Sequence, residues 1–166
     1  MSPAGAALAN ARAVYDLRMP KADWKRICCP IDFSDASRAA MEVAADLAAR
    51  FGATLTLLHA YPVPGFTVPD GSVVASARML QELADQAAKH LGDWRREAEG
   101  LGAAAVDAAT AVGEPAAEIV AWAKEHAVDL LVLGTHGRTG LEHALMGSVA
   151  ERVVRRARCP VLTVHP

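Results

Sequence analysis

The chain has 166 residues, 52% of them hydrophobic, with 17 basic and 19 acidic side chains for a net charge of −2. That suits one domain with a short surplus and an ample core, and it gives no electrostatic ground for nucleic acid or an anionic membrane as partner. No apolar run approaches the roughly 20 residues of a membrane helix, and the start M-S-P-A-G-A-A-L-A-N-A-R lacks a basic region followed by a long apolar stretch, so a cytoplasmic protein is expected.

Residues 1–22 stand outside the alternating pattern that follows. Leu8, Ala11, Tyr15 and Met19 recur at helical spacing, which predicts a short helix or tail before the domain proper, 23–166. R-I-C-C-P-I (Arg26 to Ile31) reads as a buried strand with Pro30 near its end. Asp32 to Asp35 makes a turn in which Ser34 or Asp35 caps a helix, with Ala40, Val43, Ala44, Leu47, Ala48 and Phe51 inward and Gly52 ending it. Thr54 to Ala60 is a second buried strand. Tyr61 to Ser72, with three prolines and two glycines, reads as an irregular connection.

The longest helical pattern then runs through Leu80, Leu83, Ala87, Leu91, Trp94, Ala98 and Leu101. Ala104 to Val112 alternates as a strand, and Gly113-Glu114-Pro115 opens a helix with Ala116, Ile119, Val120, Ala123 and Ala127 inward. Leu130 to Leu133 is a strand, 134–147 a glycine-cornered loop, Ser148 to Arg158 a helix and Pro160 to Val164 a last strand. Five strands alternating with four helices predict an α/β fold: one open parallel sheet with helices on both faces. Cys28, Cys29 and Cys159 read as small buried hydrophobes in a reducing compartment.

Ligands of open α/β sheets sit at the carboxyl ends of the strands, where the winding reverses. Two loops compete for that place, Pro30-Ile31-Asp32 and the segment from Gly134 to Ser148. Gly134 and Gly137 let backbone amides approach an anion, and Gly147, Ser148 and Val149 put amide donors and a hydroxyl at a helix N-terminus. Arg138 could close over phosphates, and Asp32 could accept from a ribose hydroxyl or hold a metal beside them. No lysine lies in the loop, which excludes the P-loop, and the first turn has no glycine, which excludes the dinucleotide fingerprint.

The G-x2-G-x9-G-[ST] spacing of Gly134, Gly137, Gly147 and Ser148 resembles the ATP-binding signature of the universal stress protein family. P-I-D-F-S at 30–34, L-L-H-A at 57–60, G-T-H-G-R-T-G at 134–140 and the closing C-P-V-L-T-V extend the resemblance over about Lys25 to Val164. The resemblance implies a Rossmann-like domain of strand order 3-2-1-4-5 that binds ATP, with or without Mg2+, usually as a homodimer. Carried over, it sets Pro30, Ile31 and Leu133 around the nucleotide, Asp32 at the ribose or a phosphate-bound Mg2+, and the Ala60 backbone at the adenine. Gly134, Gly137, Arg138, Gly147, Ser148 and Val149 fall at the phosphates. Residues 1–22 and the Pro62–Ser72 loop depart from the family pattern.

The blander readings are capping for Asp32 and Ser148 and tight packing for the glycines. His136 and His143 lack a metal-ligand spacing, and His59 reads as a hydrogen-bonded core or rim residue. Arg152, Arg155, Arg156 and Arg158 fall in the last turns of a helix, where cations complement the dipole. The apolar last strand, 160–164, predicts edge pairing with a second subunit. The expected activity is a nucleotide-dependent sensor or regulator of stress response. A slow ATPase and a nucleotide-free interaction module are the alternatives.

Overall fold

The computed structural model describes residues 23–62, 66–67, 73–74, 77–135 and 146–165. The helix expected before residue 22 and the central part of the glycine loop, Gly137 and Arg138 included, lie outside them. β1 (Arg26–Pro30) is the axis of the sheet. It pairs in parallel with β2 (Thr54–Tyr61) on one side and β6 (Leu130–Gly134) on the other. β5 (Ala105–Val112) flanks β2 and β7 (Val161–Val164) flanks β6. The five-stranded order is β5-β2-β1-β6-β7, which in chain order of these strands is the expected 3-2-1-4-5. The connection expected to be irregular holds a two-stranded antiparallel pair, β3 (Phe66–Thr67) with β4 (Val73–Val74). Segments that short leave no periodicity in a sequence.

Pro30 shapes the centre of this sheet. Asp129 N–H donates to Arg26 O and Ile31 N–H to Leu58 O, so along β1 the even residues face β6 and the odd ones β2. The β1–β6 ladder pairs Ile27 with Leu130 and Cys28 with Leu131 and stops there. Pro30 would be the next residue to donate to β6, and it has no N–H. The two strands are therefore released from one another at their carboxyl ends, where the winding reverses.

Four helices cover the sheet: α1 (Asp35–Phe51), α2 (Ala77–Gly100), α3 (Pro115–Glu125) and α4 (Ser148–Arg156). Successive β1 side chains go to opposite faces. Ile27 and Cys29 join the core under α1 and α2, and Cys28 joins the core with residues of α3 and α4. All three cysteines are free; Cys28 and Cys29 are buried and Cys159 half-buried. Burial pushes all three thiols up, Cys28 and Cys29 far above the ordinary thiol range.

The α1 stripe is rotated from the expected one. Ala36, Ser37, Ala40, Met41, Ala44, Ala45 and Ala48 are buried, while Val43, Leu47 and Phe51 sit half-buried at its flank. Alanine on the central line lets the helix lie close to the sheet, which hydropathy alone does not reveal. α2 ends at Gly100, leaving Leu101 exposed, and Ala127 lies beyond α3 with a left-handed φ of 47°. α4 ends at Arg156, two residues before its expected end.

Candidate functional site

The released ends of β1 and β6 open into a cleft of about 360 Å³, within the range of small-molecule sites. Pro30, Ile31 and Asp32 line it from β1 and the turn after it, Ala60 from β2, Leu133 and Gly134 from β6, and Gly147, Ser148 and Val149 from the start of α4. Nine of the eleven expected residues thus share one cavity, and Gly137 and Arg138 lie outside the described residues.

The β1–α1 turn is held by hydrogen bonds centred on Asp32. Its Oδ1 accepts from Ser34 N–H (3.1 Å) and from Ser34 Oγ–H (2.5 Å). Ser34 is the N-cap of α1, its Oγ accepting from Ser37 N–H at 3.2 Å. Asp32 is thus not the cap itself but the residue that braces it, and it also lines the cleft. Phe33 between them has φ 65°, a conformation rare for an aromatic side chain. Its ring is held 4.6 Å from His59, 5.3 Å from His90 and 5.6 Å from Trp94, centre to centre. His59 Nδ1–H donates to Ile31 O at 2.8 Å, which fixes the loop from β2. His59 is thus the hydrogen-bonded residue expected.

Gly134 answers a packing demand as well as lining the cleft. A Cβ there would stand 2.7 Å from Ala36 O and 2.8 Å from Ala36 C. The first turn of α1 rests on the end of β6, and only glycine permits that distance.

Helices α1, α3 and α4 all present N-terminal residues to the cleft: Ser37, Pro115, and Ser148 to Ala150. Two of the three N-termini carry their own polar cap. α1 has Ser34 braced by Asp32, and α3 has Glu114, whose side chain accepts from Ala117 N–H at 2.9 Å and from Arg152 at 3.0 Å. The Ala117 and Ala116 amides, and the Arg152 charge beside them, hold the Glu114 carboxyl below its usual range. α4 has no side-chain cap. Its N-cap position is Gly147, so Ser148 is the first helical residue and not the cap expected as its bland reading.

The Gly147 amide is not free, as the sequence had suggested. It donates to Thr135 O at 2.6 Å, tying the two ends of the glycine loop together. The first bond inside α4 runs from Glu151 N–H to Gly147 O, which leaves Ser148, Val149 and Ala150 without intrahelical acceptors. Glu151 itself is turned to Arg155. The result, among the described residues, is an uncapped, positively polarised helix end at the wall of an otherwise largely apolar cavity.

Leu58, Ser37, Pro115, Ile119, Thr135 and Ala150 also line the cleft, though the sequence had not marked them. Leu58 was legible as the same-face neighbour of Ala60 on a strand, and Ile119 as one helical turn from Pro115. That α3 reaches this cleft at all follows from the strand order. Among the described residues, no group of three or more metal-ligating side chains occurs, and no helix is long and apolar enough to cross a membrane.

Comparison with known proteins agrees with this architecture. The model of the universal stress protein family matches residues 23–165. The chain is 38% identical over 143 residues to universal stress protein MJ0531 of Methanocaldococcus jannaschii, covering 85% of this chain and 82% of that one. It is 33% identical over 148 residues to universal stress protein YxiE of Bacillus subtilis, covering 86% and 99%. Among solved structures, the universal stress protein UspA from Lactobacillus plantarum superposes with a TM-score of 0.71 at 29% identity, covering 85% of this chain and 97% of that one. A universal stress protein solved in complex with cAMP superposes with a TM-score of 0.64 at 28% identity, covering 86% and 97%.

Proposed function

The chain belongs to the universal stress protein family, and on that premise we propose that it binds an adenine nucleotide, ATP with Mg2+, in the cleft between β1 and β6. The observation that carries the reading is the N-terminus of α4, which among the described residues is the one cleft-facing helix end of three without a side-chain cap. Anions are stabilised at such an end by amide donors and by the helix dipole. The cAMP complex of a relative supports an adenine nucleotide as the ligand class.

In this reading the amides of Ser148 and Val149 take the phosphates, with Gly134, Gly137 and Arg138 beside them and Gly147, whose own amide is held by Thr135 O, allowing their close approach. Asp32 meets the ribose or serves as the one protein ligand of a phosphate-bound Mg2+, an ion that is commonly held by one or two carboxylates plus phosphate. The Ala60 backbone meets the adenine, with Pro30, Ile31 and Leu133 as walls. Asp32 is the only titratable side chain lining the cleft among the described residues, and its Oδ1 is already engaged. That favours binding over turnover, and hence a cytoplasmic, nucleotide-dependent regulator of stress response. Val161, Leu162 and Val164 on the β7 edge make a homodimer through residues 160–164 part of the same proposal.

Ser148→Pro tests the seat. Proline is accommodated at the first helical position, and Gly147 already has the φ −70°, ψ 154° that a residue before proline prefers. The variant should fold like the wild type while losing one amide donor and one hydroxyl. A hydrogen bond to a charged group is worth about 1.5–3 kcal/mol, so calorimetric titration with Mg-ATP should show affinity falling by roughly 10- to 150-fold. Ser148→Ala separates the hydroxyl from the amide. Full affinity in a folded Ser148→Pro protein would remove the α4 terminus from the account.

A further inference from the structure

The edge of the sheet opposite β7 is formed by β5, eight residues long and, among the described residues, bonded on one side only, to β2. Gly113 N–H donates to Tyr61 O, so the odd residues of β5 turn their backbone groups toward β2. The N–H and C=O groups of Val106, Ala108, Thr110 and Val112 consequently point outward. Soluble proteins usually guard such an edge with lysine, proline, a bulge or a short strand. The A-V-D-A-A-T-A-V of β5 has one charge, no lysine and no proline, and it is twice the length of β7. Val112 at its end is 48% exposed.

We propose that this edge pairs antiparallel with the same edge of a second copy of the chain, about a two-fold axis passing between the two Ala109 residues. The register follows from the outward groups. Setting Val106 opposite Val112, and Ala108 opposite Thr110, gives every outward N–H and C=O on both strands a partner. A shift of two residues either way strands one of the four. In this register the exposed Val112 meets the partner's Val106, a β-branched cross-strand pair. Asp107 falls opposite the partner's Ala111, and the two aspartates stand four residues apart along the ladder. That separation is roughly 14 Å at about 3.4 Å per residue, beyond the Debye length of about 8 Å at physiological salt. The strand is therefore complementary to itself, with nothing in it that opposes a like charge.

The test uses the full chain and does not depend on nucleotide. In the proposed register Ala109 faces Ala109 in a non-hydrogen-bonded pair, where Cα atoms are about 4.5 Å apart, inside disulfide reach. Ala109→Cys should cross-link as a dimer on mild oxidation, while Ala111→Cys, offset by four residues, should not. The wild type controls for the native cysteines. Because the β7 edge is proposed to pair as well, in sedimentation equilibrium the wild type should form species larger than a dimer, and Val112→Lys, a change at an exposed site, should leave only the dimer joined through β7 and leave the unfolding midpoint in place. Leu162→Lys, on β7, isolates the other edge. If only Leu162→Lys lowers the mass, if the wild type is monomeric, or if Ala109→Cys cross-links no faster than Ala111→Cys, the β5 interface is refuted.

Discussion

Gly134→Ala should damage the fold and the cleft together, and the size of the effect can be worked from one contact. The added Cβ would lie 2.7 Å from Ala36 O, 2.8 Å from Ala36 C and 3.0 Å from Ala36 Cβ. Those carbon contacts are roughly 0.5–1 Å inside the optimum of about 3.5–4.0 Å. Two of the three atoms are backbone, so no side-chain rotation relieves them and the first turn of α1 must back away from β6. Overpacking of this kind costs about 1–3 kcal/mol. For a chain of this size each kcal/mol lowers the midpoint by about 2–4 °C, so thermal unfolding should fall by roughly 2–12 °C. The displaced turn carries Asp32, Ser34 and Ser37, so nucleotide affinity should fall at temperatures where the variant is fully folded. Gly92→Ala is the control: nothing lies within 4 Å of its added Cβ, and it sits inside α2. It should stabilise the protein by about 0.5–1 kcal/mol. A Gly134→Ala protein with the wild-type midpoint and affinity would refute the argument that α1 rests on Gly134.

Two further substitutions test the helix caps and the strained turn. The Glu114 carboxyl is held below its ordinary range by the Ala117 and Ala116 amides and by Arg152, so its charge stabilises the folded state above the unfolded glutamate pKa of about 4.3. Glu114→Gln should be less stable than wild type in urea at pH 7, and the gap should close as pH falls through the folded-state pKa; a gap constant from pH 7 to pH 3 would contradict the assignment. At Phe33, glycine should be a better replacement than alanine. Both lose the contacts with His59, His90 and Trp94, but alanine also keeps the left-handed backbone cost of roughly 1–2 kcal/mol. After glycine's greater unfolded-state entropy is allowed for, Phe33→Gly should exceed Phe33→Ala by about 0.5–1 kcal/mol in denaturant melts; equal stabilities would argue against strain at this residue.

Much of this architecture was legible in the residues because period and punctuation carry it. β1 reads from R-I-C-C-P-I, α3 from the Pro115 start, and the meeting of the two loops from the rule that α/β ligands gather where the winding reverses. The illegible parts depend on what lies across from a residue. Met41 and Ala45 replaced Val43 and Leu47 on the inner line of α1 because the sheet admits a close approach there, and no single-chain pattern encodes the distance to a neighbour. Gly147 looked like a free donor because its acceptor, Thr135 O, is brought to it only by the closing of the loop. Ser148 looked like a cap because serine favours that position, yet Gly147 takes it. Phe33 gave no sign of its left-handed backbone, since its three aromatic neighbours come from β2 and from α2, 26 to 61 residues away along the chain.

His59 and Ala60 are adjacent on β2 and face opposite ways. Ala60 borders the cleft, while His59 reaches round to hold Ile31 O and packs at a tilt against Phe33, whose other neighbours, His90 and Trp94, belong to α2. Trp94 in turn lies under the Arg38 guanidinium, 4.7 Å from its ring centre. The loop that carries Asp32 is thus positioned largely from the side of the sheet that the cleft does not occupy. Sequence drift on the outer helix can retune the cavity without altering any residue that lines it. Two relatives with identical linings would then differ in affinity for a reason visible only on the reverse of the sheet.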